Sequence, residues 1–235
     1  MKTHEFQTTV EEFEHFAREN YQTIIVVTMA ILAVAAATLG YRWYSQKQEA
    51  EANIALGTAL ATFHATVGPP ANGLNPNQPP PDPNTFATAS DKYKKALGQF
   101  LDVVQKYPRQ EAAAIARYHA GLCQAELGDE ANAMKSLQEA AKTSNKEIAS
   151  LAQLALAAEL VKGGKVADAA KIYRDLAGHP TTTVPRATAL LAEADAYRAT
   201  QPAQARAIYQ QMAKEFSTDR YLISTVQQQM ASLPQ

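Results

Sequence analysis

The chain has 235 residues, 46% of them hydrophobic, and a net charge of −1. Without a basic excess it lacks the electrostatic footprint of a nucleic-acid-binding protein, and its single cysteine, Cys123, excludes an intramolecular disulfide and every multi-cysteine metal motif. Alanine is the commonest residue, at 46, glycine numbers only 10, and no run of β-branched residues alternates as a strand would, so an all-α fold is expected.

Residues 1–22 read as a short acidic tail. Glu5, Glu11, Glu12, Glu14 and Glu19 stand there against Lys2 and Arg18, a balance of −3 that leaves the remainder at +2. Thr9 and Glu12 have the spacing of a capping box, with Val10, Phe13 and Phe16 or Ala17 recurring at helical intervals. No charged residue lies between Glu19 and Arg42. The run Ile24 to Gly40 is long enough, at roughly 1.5 Å rise per residue, to cross most of a bilayer's hydrocarbon core. Tyr21 precedes it and Tyr41, Trp43 and Tyr44 follow, the amphipathic rings expected at headgroup level. A membrane anchor is therefore expected over residues 23–44, marked by Tyr21, Ile24, Gly40, Arg42 and Trp43. Ala33, Ala35 and Ala37 also offer the small-residue spacing of a signal-peptide cleavage site, but an acidic tail is no basic n-region, which favours an uncleaved anchor. Lys2, Arg18 and the α-amino group on one side balance Arg42 and Lys47 on the other, so charge leaves the orientation open. We adopt the commoner arrangement, a short cytoplasmic tail with the large domain translocated.

Residues 45–218 carry an internal repeat. An alanine, a bulky apolar residue four positions on and a further apolar or small residue three beyond recur as Ala96, Phe100, Val103; Ala133, Leu137, Ala140; Ala169, Tyr173, Leu176; and Ala205, Tyr209, Met212. The alanines are 37, 36 and 36 residues apart. Such offsets put each trio on one face of a helix, the inner seam of the second helix in a two-helix unit. In the second unit Ala120, Gly121 and Leu122 lie on the first helix, where Gly121 allows close approach, and Leu127-Gly128-Asp129 turns the chain. Leu156 and Ala157, then Gly163-Gly164, hold these places in the third unit. In the fourth, Ala192 and Glu193 do so and Thr200-Gln201-Pro202 makes the turn, Pro202 suiting a first helical position.

The opening helix of the first unit is expected to run on from the span through Ala50, Ile54, Leu56, Leu60 and Phe63. A Pro-rich insert at 68–85 follows, with seven of the twelve prolines between Gly68 and Pro83. It reads as a surface insertion between helices, or as a partner-binding arm. Beyond the repeats, residues 219–235 form a capping helix in which Leu222, Val226, Met230 and Leu233 cover the last hydrophobic face and Gln227, Gln228 and Gln229 face water.

No catalytic motif emerges. Gly163-Gly164-Lys165 lacks the spacing of a phosphate loop, there is no H-E-x-x-H, G-x-S-x-G or GxGxxG, and the scattered acidic residues read as solvated surface carboxylates. His119 and Cys123 share a helix face, but two ligands do not close a zinc site, so the pair reads as a packed thiol beside a half-exposed histidine. The chain is expected to be no enzyme and to use no cofactor or metal.

The trios, Ala120-Gly121-Leu122, the Gly128-Asp129 turn and Tyr107-Pro108 together resemble tetratricopeptide repeats over about Gln46 to Ser217. The resemblance implies a right-handed α-solenoid of about four helical hairpins, closed by the capping helix, that binds proteins on the concave face of its first helices. Here that face carries Ile115, Tyr118 and Leu122, then Leu151 and Leu154, and lacks the lysines and asparagines with which some of the family grip a terminal carboxylate. An apolar face favours hydrophobic or unfolded segments. The acidic tail ending Phe16-Ala17-Arg18-Glu19-Asn20-Tyr21 and the span closing Gly40-Tyr41-Arg42-Trp43-Tyr44, followed by alanine-rich repeats, are similar to the YfgM family. That resemblance implies a bacterial inner-membrane protein with a cytoplasmic N-terminus and a periplasmic repeat domain, partnered by the SecYEG translocon, periplasmic chaperones or unfolded polypeptide. The alternative is a membrane-tethered scaffold of another cell-envelope complex.

Overall fold

In the computed structural model, residues 20–68 and 85–234 are described. The tail with its Thr9–Glu12 capping box and nearly all of the Pro-rich insert lie outside these residues. Among the described residues the fold is all-helical, with one isolated bridge between Val67 and Phe86. The chain divides into two compact units, Met1–Ala50 and Glu51–Gln235.

The first helix, α1, spans Tyr21–Phe63, 43 residues without a break. In its first unit the apolar side chains stand open: Ile25, Met29, Leu32, Val34 and Leu39 are all exposed. From Glu51 onward the pattern changes. Ala52, Leu56 and Ala59 are buried, with Leu60 and Phe63 packed beside them, the 3–4 spacing of an amphipathic helix. Ile54, on the same helix, points outward at 73% exposure, because its position falls about half a turn away from Ala52 and Leu56.

Eight further helices follow: α2 (Ala89–Lys106), α3 (Glu111–Glu126), α4 (Glu130–Ala141), α5 (Lys146–Lys162), α6 (Val166–Gly178), α7 (Arg186–Tyr197), α8 (Pro202–Glu215) and α9 (Arg220–Ala231). Each packs on the next in sequence from α2 to α9, and α3 also touches α5. The second helices α4, α6 and α8 begin at 130, 166 and 202, a strict period of 36. Their alanine-led trios, together with that of α2, are buried to 4% exposure or less. Phe100, Leu137, Tyr209 and Met212 are among the largest fully buried side chains, each contributing roughly 1.5–3 kcal/mol by burial.

The hairpin turns follow local chemistry. Gly128 and Gly164, one period apart, adopt φ of 78° and 74°. In both, two backbone bonds close a Schellman motif: Gly128 and Asp129 donate to Ala125 and Gln124, and Gly164 and Lys165 donate to Val161 and Leu160. The corresponding residue in the fourth hairpin is Thr200, which cannot take that conformation cheaply. There Gln201 N–H bonds Tyr197 and Pro202 opens α8 at its first turn. Thr88, Asp129, Asn145 and Asp219 cap α2, α4, α5 and α9 with their side chains. Gly121 lies directly under Leu137, where a Cβ would stand 2.7 Å from Leu137 Cγ, so the close approach requires glycine.

Two apolar clusters result. One joins the end of α1 to α2 and α3, and the other runs from α5 to α9. In the latter Val226 is fully buried and Leu222, Met230 and Leu233 pack with it, so α9 closes the last hydrophobic face while Gln227 and Gln228 stay exposed.

Candidate protein-binding surface

Four of the five residues expected to form a binding face are in repeat register. Ile115 and Tyr118 of α3 stand 36 positions before Leu151 and Leu154 of α5, and α3 and α5 are neighbours. All five, including Leu122, are half-buried. Ile115 packs against the first cluster and Leu151 and Leu154 against the second, so these side chains divide their surface between neighbouring helices and solvent. One more period leads to Ala187 and Leu190 of α7, half-buried and buried, which the sequence reading left out.

Behind this face the packing is aromatic. His119 stacks on Phe100 at 5.2 Å and meets Phe63 and Tyr118 edge-on at 5.1 and 5.0 Å. Burial, aided by the charge of His64, lowers the His119 pKa to about 4, so the ring is neutral at neutral pH; among the described residues its Nδ1 has no hydrogen-bond partner. Burial also raises the Tyr118 hydroxyl above its usual range. Cys123 is fully buried, and burial pushes its thiol up to about 12. Among the described residues no group of three or more metal-ligating side chains assembles.

Three cavities lie away from these five residues. A polar cavity of about 610 Å³ has Arg109, Glu111, Arg117 and Lys142 on its walls. A smaller one of about 410 Å³ lies between α4 and α6, floored by Gln153 and Leu156 of α5. A third, of about 600 Å³, lies between α6 and α8, with Leu190, Glu193 and Tyr197 of α7 facing it. None of the five candidate residues lines these three grooves. Glu193 departs from the sequence expectation for carboxylates: it is 5% exposed and pairs with Arg174, Nε to Oε1 2.9 Å. Burial raises its carboxyl pKa, and Arg174 partly offsets the rise.

The second and third hairpins are also each tied to the following loop. Glu111, at the start of α3, accepts from the side-chain amide of Asn145. One period on, Glu147 accepts from Thr183 N–H at 2.8 Å, the Thr183 hydroxyl at 2.8 Å and Thr182 N–H at 3.3 Å. These bonds hold the Glu147 carboxyl below the ordinary carboxylate range.

Of the residues marking the anchor, Tyr21 opens α1, Ile24 lies within it, and Gly40, Arg42 and Trp43 lie further along with their surfaces exposed. α1 is the one described helix long and apolar enough to cross a membrane, and none of its apolar window is buried.

No curated protein matches the chain, and no solved structure does. A tetratricopeptide repeat family model matches residues 116–143 and 188–219. The two segments start two periods of 36 apart and cover the second and fourth hairpins; the third, unmatched, shares the buried trio of both and the glycine turn of the second. The chain thus carries tetratricopeptide repeats, the architecture of a protein–protein interaction module, behind an apolar N-terminal helix.

Proposed function

We propose that α1 anchors this protein in a membrane and that the repeat domain captures protein partners on the face carrying Ile115, Tyr118, Leu122, Leu151 and Leu154. The observation that supports the anchor is the uncovered apolar surface of α1. Leaving a Val, Leu, Ile or Met side chain in water rather than buried forgoes roughly 1.5–3 kcal/mol, and Ile25, Val26, Met29, Ile31, Leu32, Val34 and Leu39 are all uncovered by the protein itself. A bilayer supplies the missing apolar surroundings. The half-buried apolar residues in register on α3 and α5 support a face that engages hydrophobic segments.

The resemblance of tail and span to the YfgM family extends the reading. We place the anchor in a bacterial inner membrane, with the N-terminus cytoplasmic and the repeat domain periplasmic. There the protein acts without catalysis as an ancillary factor of the translocon and the periplasmic chaperones. Photoreactive side chains at Tyr118 and Leu122 in native membranes, with adducts identified by mass spectrometry, test this. Adducts with translocon subunits, emerging chains or periplasmic chaperones are expected. A single unrelated envelope protein would replace the reading with a tethered scaffold, and cytoplasmic proteins alone would reverse the topology.

A further inference from the structure

Glu193 occupies a repeat position that its sister hairpins fill with small residues. It stands one period after Ala157 and two after Gly121. Gly121 lets α3 lie against Leu137, and Ala157 is fully buried. Packing at this position calls for little volume and no charge, yet the fourth hairpin places a carboxylate there, 5% exposed, on the wall of a cavity of about 600 Å³. Leu190, Ala207 and Ile208 supply apolar wall beside it.

Two arginines share the cavity. Arg186 is fully engaged, donating to both carboxylate oxygens of Glu215 and to the carbonyl of Ala177. Arg174 pairs with Glu193 but is itself 60% exposed, so water screens much of its charge. Its guanidinium also donates to the Ala170 carbonyl at 3.2 Å and to the Tyr197 hydroxyl at 3.4 Å, so the two sides of the pair are unequal in burial: the carboxylate is enclosed, and the guanidinium that an incoming cation must displace lies at the surface on three contacts.

We propose that this cavity receives a basic side chain, arginine or lysine, from a bound polypeptide, with Glu193 as its counter-ion and Arg174 as the internal group it displaces. The apolar wall accepts the methylene stem, and the buried carboxylate accepts the charged head in surroundings that strengthen a hydrogen-bonded ion pair. The raised carboxyl pKa of Glu193 agrees with a charge that Arg174 compensates only in part. The inference rests on the repeat domain being a protein-binding module and adds to it a second contact, between second helices, for segments that carry a cationic residue.

Fluorescence anisotropy of the full chain in detergent micelles tests it, using labelled Gly-Ser peptides with a central Ala-Arg-Ala, Ala-Lys-Ala or Ala-citrulline-Ala. The arginine and lysine peptides are expected to bind and the uncharged citrulline peptide to fail. Arg174→Ala removes the internal competitor and is expected to tighten arginine-peptide binding about tenfold. Glu193→Gln, nearly isosteric, and Glu193→Ala, which installs the residue of the third hairpin, are expected to abolish it with the helical circular dichroism unchanged. Equal binding of the citrulline peptide, or unchanged or weaker binding by Arg174→Ala, would overturn the proposal, since a purely structural ion pair behaves that way. Crosslinking from Tyr118 and Leu122 in the same variants separates the two readings. If those adducts persist while the charged peptides fail to bind, the cavity alone loses its role; if the adducts vanish from the unmodified protein as well, the binding face on the first helices falls.

Discussion

Gly98 and Gly121 both sit inside helices, and replacing each by alanine is expected to move stability in opposite directions. At Gly98, on the exposed side of α2, an added Cβ meets nothing within 4 Å, so the change gains helix propensity, about 0.5–1 kcal/mol. At Gly121 the same propensity gain is opposed by contact. The new Cβ falls 2.7 Å from Leu137 Cγ, 2.9 Å from its Cδ2 and 3.3 Å from the Ala133 carbonyl oxygen. Optimal carbon contacts lie at about 3.5–4.0 Å, so the methyl intrudes by about 1 Å. Leu137 is fully buried and Ala133 contributes backbone, so neither can swing aside; α3 and α4 must separate. Overpacking of this kind costs about 1–3 kcal/mol, leaving Gly121→Ala destabilised by about 1–2 kcal/mol after the propensity gain. Thermal melts followed by circular dichroism should therefore place the two variants about 5 °C apart or more, on either side of the parent. Adding Leu137→Ala removes the obstacle, and the double variant is expected to lose about 1 kcal/mol less than the sum of the singles. A Gly121→Ala protein as stable as the parent would refute this account of how the second hairpin closes.

Tyr209→Phe deletes a 2.5 Å hydrogen bond from a buried phenol to Asp195 and should lower stability by about 1.5–3 kcal/mol in urea titrations, with helical content retained. Glu147 has a folded pKa depressed by the Thr182 and Thr183 donors, so its contribution is complete above its ordinary value of about 4.5 and fades as pH falls through the lower folded value. The melting-temperature gap between the parent and Glu147→Gln should accordingly hold steady from pH 7 to pH 5 and close in more acidic buffer; a gap that widens there would contradict the assignment. Cys123, buried and with its thiol pushed up to about 12, should resist iodoacetamide at pH 8 in the folded protein and react promptly in urea.

The repeat was legible because its signal is local. An alanine, a bulky residue four positions on and an apolar one three beyond define a helix face within eight residues, and Gly128 and Gly164 announce their turns by residue type alone. The close approach at Gly121 could be read for the same reason. Glu193 could not, because its partner Arg174 lies 19 positions back on another helix and nothing in the intervening chain couples them. The grooves between second helices escaped notice for a related reason: each draws side chains from three helices, and only their packing decides what lies open. His119 and Cys123, by contrast, turned out as a half-buried histidine beside a packed thiol, since a lone cysteine on an alanine-rich face has few other uses.

The bonds from Glu111 to Asn145 and from Glu147 to Thr182 and Thr183 run in one direction along the chain. In the second and third hairpins the opening turn thus gains, beyond its local bonds, a tie from residues some 34 to 36 positions later, so a growing polypeptide reaches that tie only after the next repeat has been made. A chain halted within the loop after α6 would present α5 with Glu147 unbonded, which makes the Thr181-Thr182-Thr183 segment a checkpoint in the order of folding rather than a passive connection.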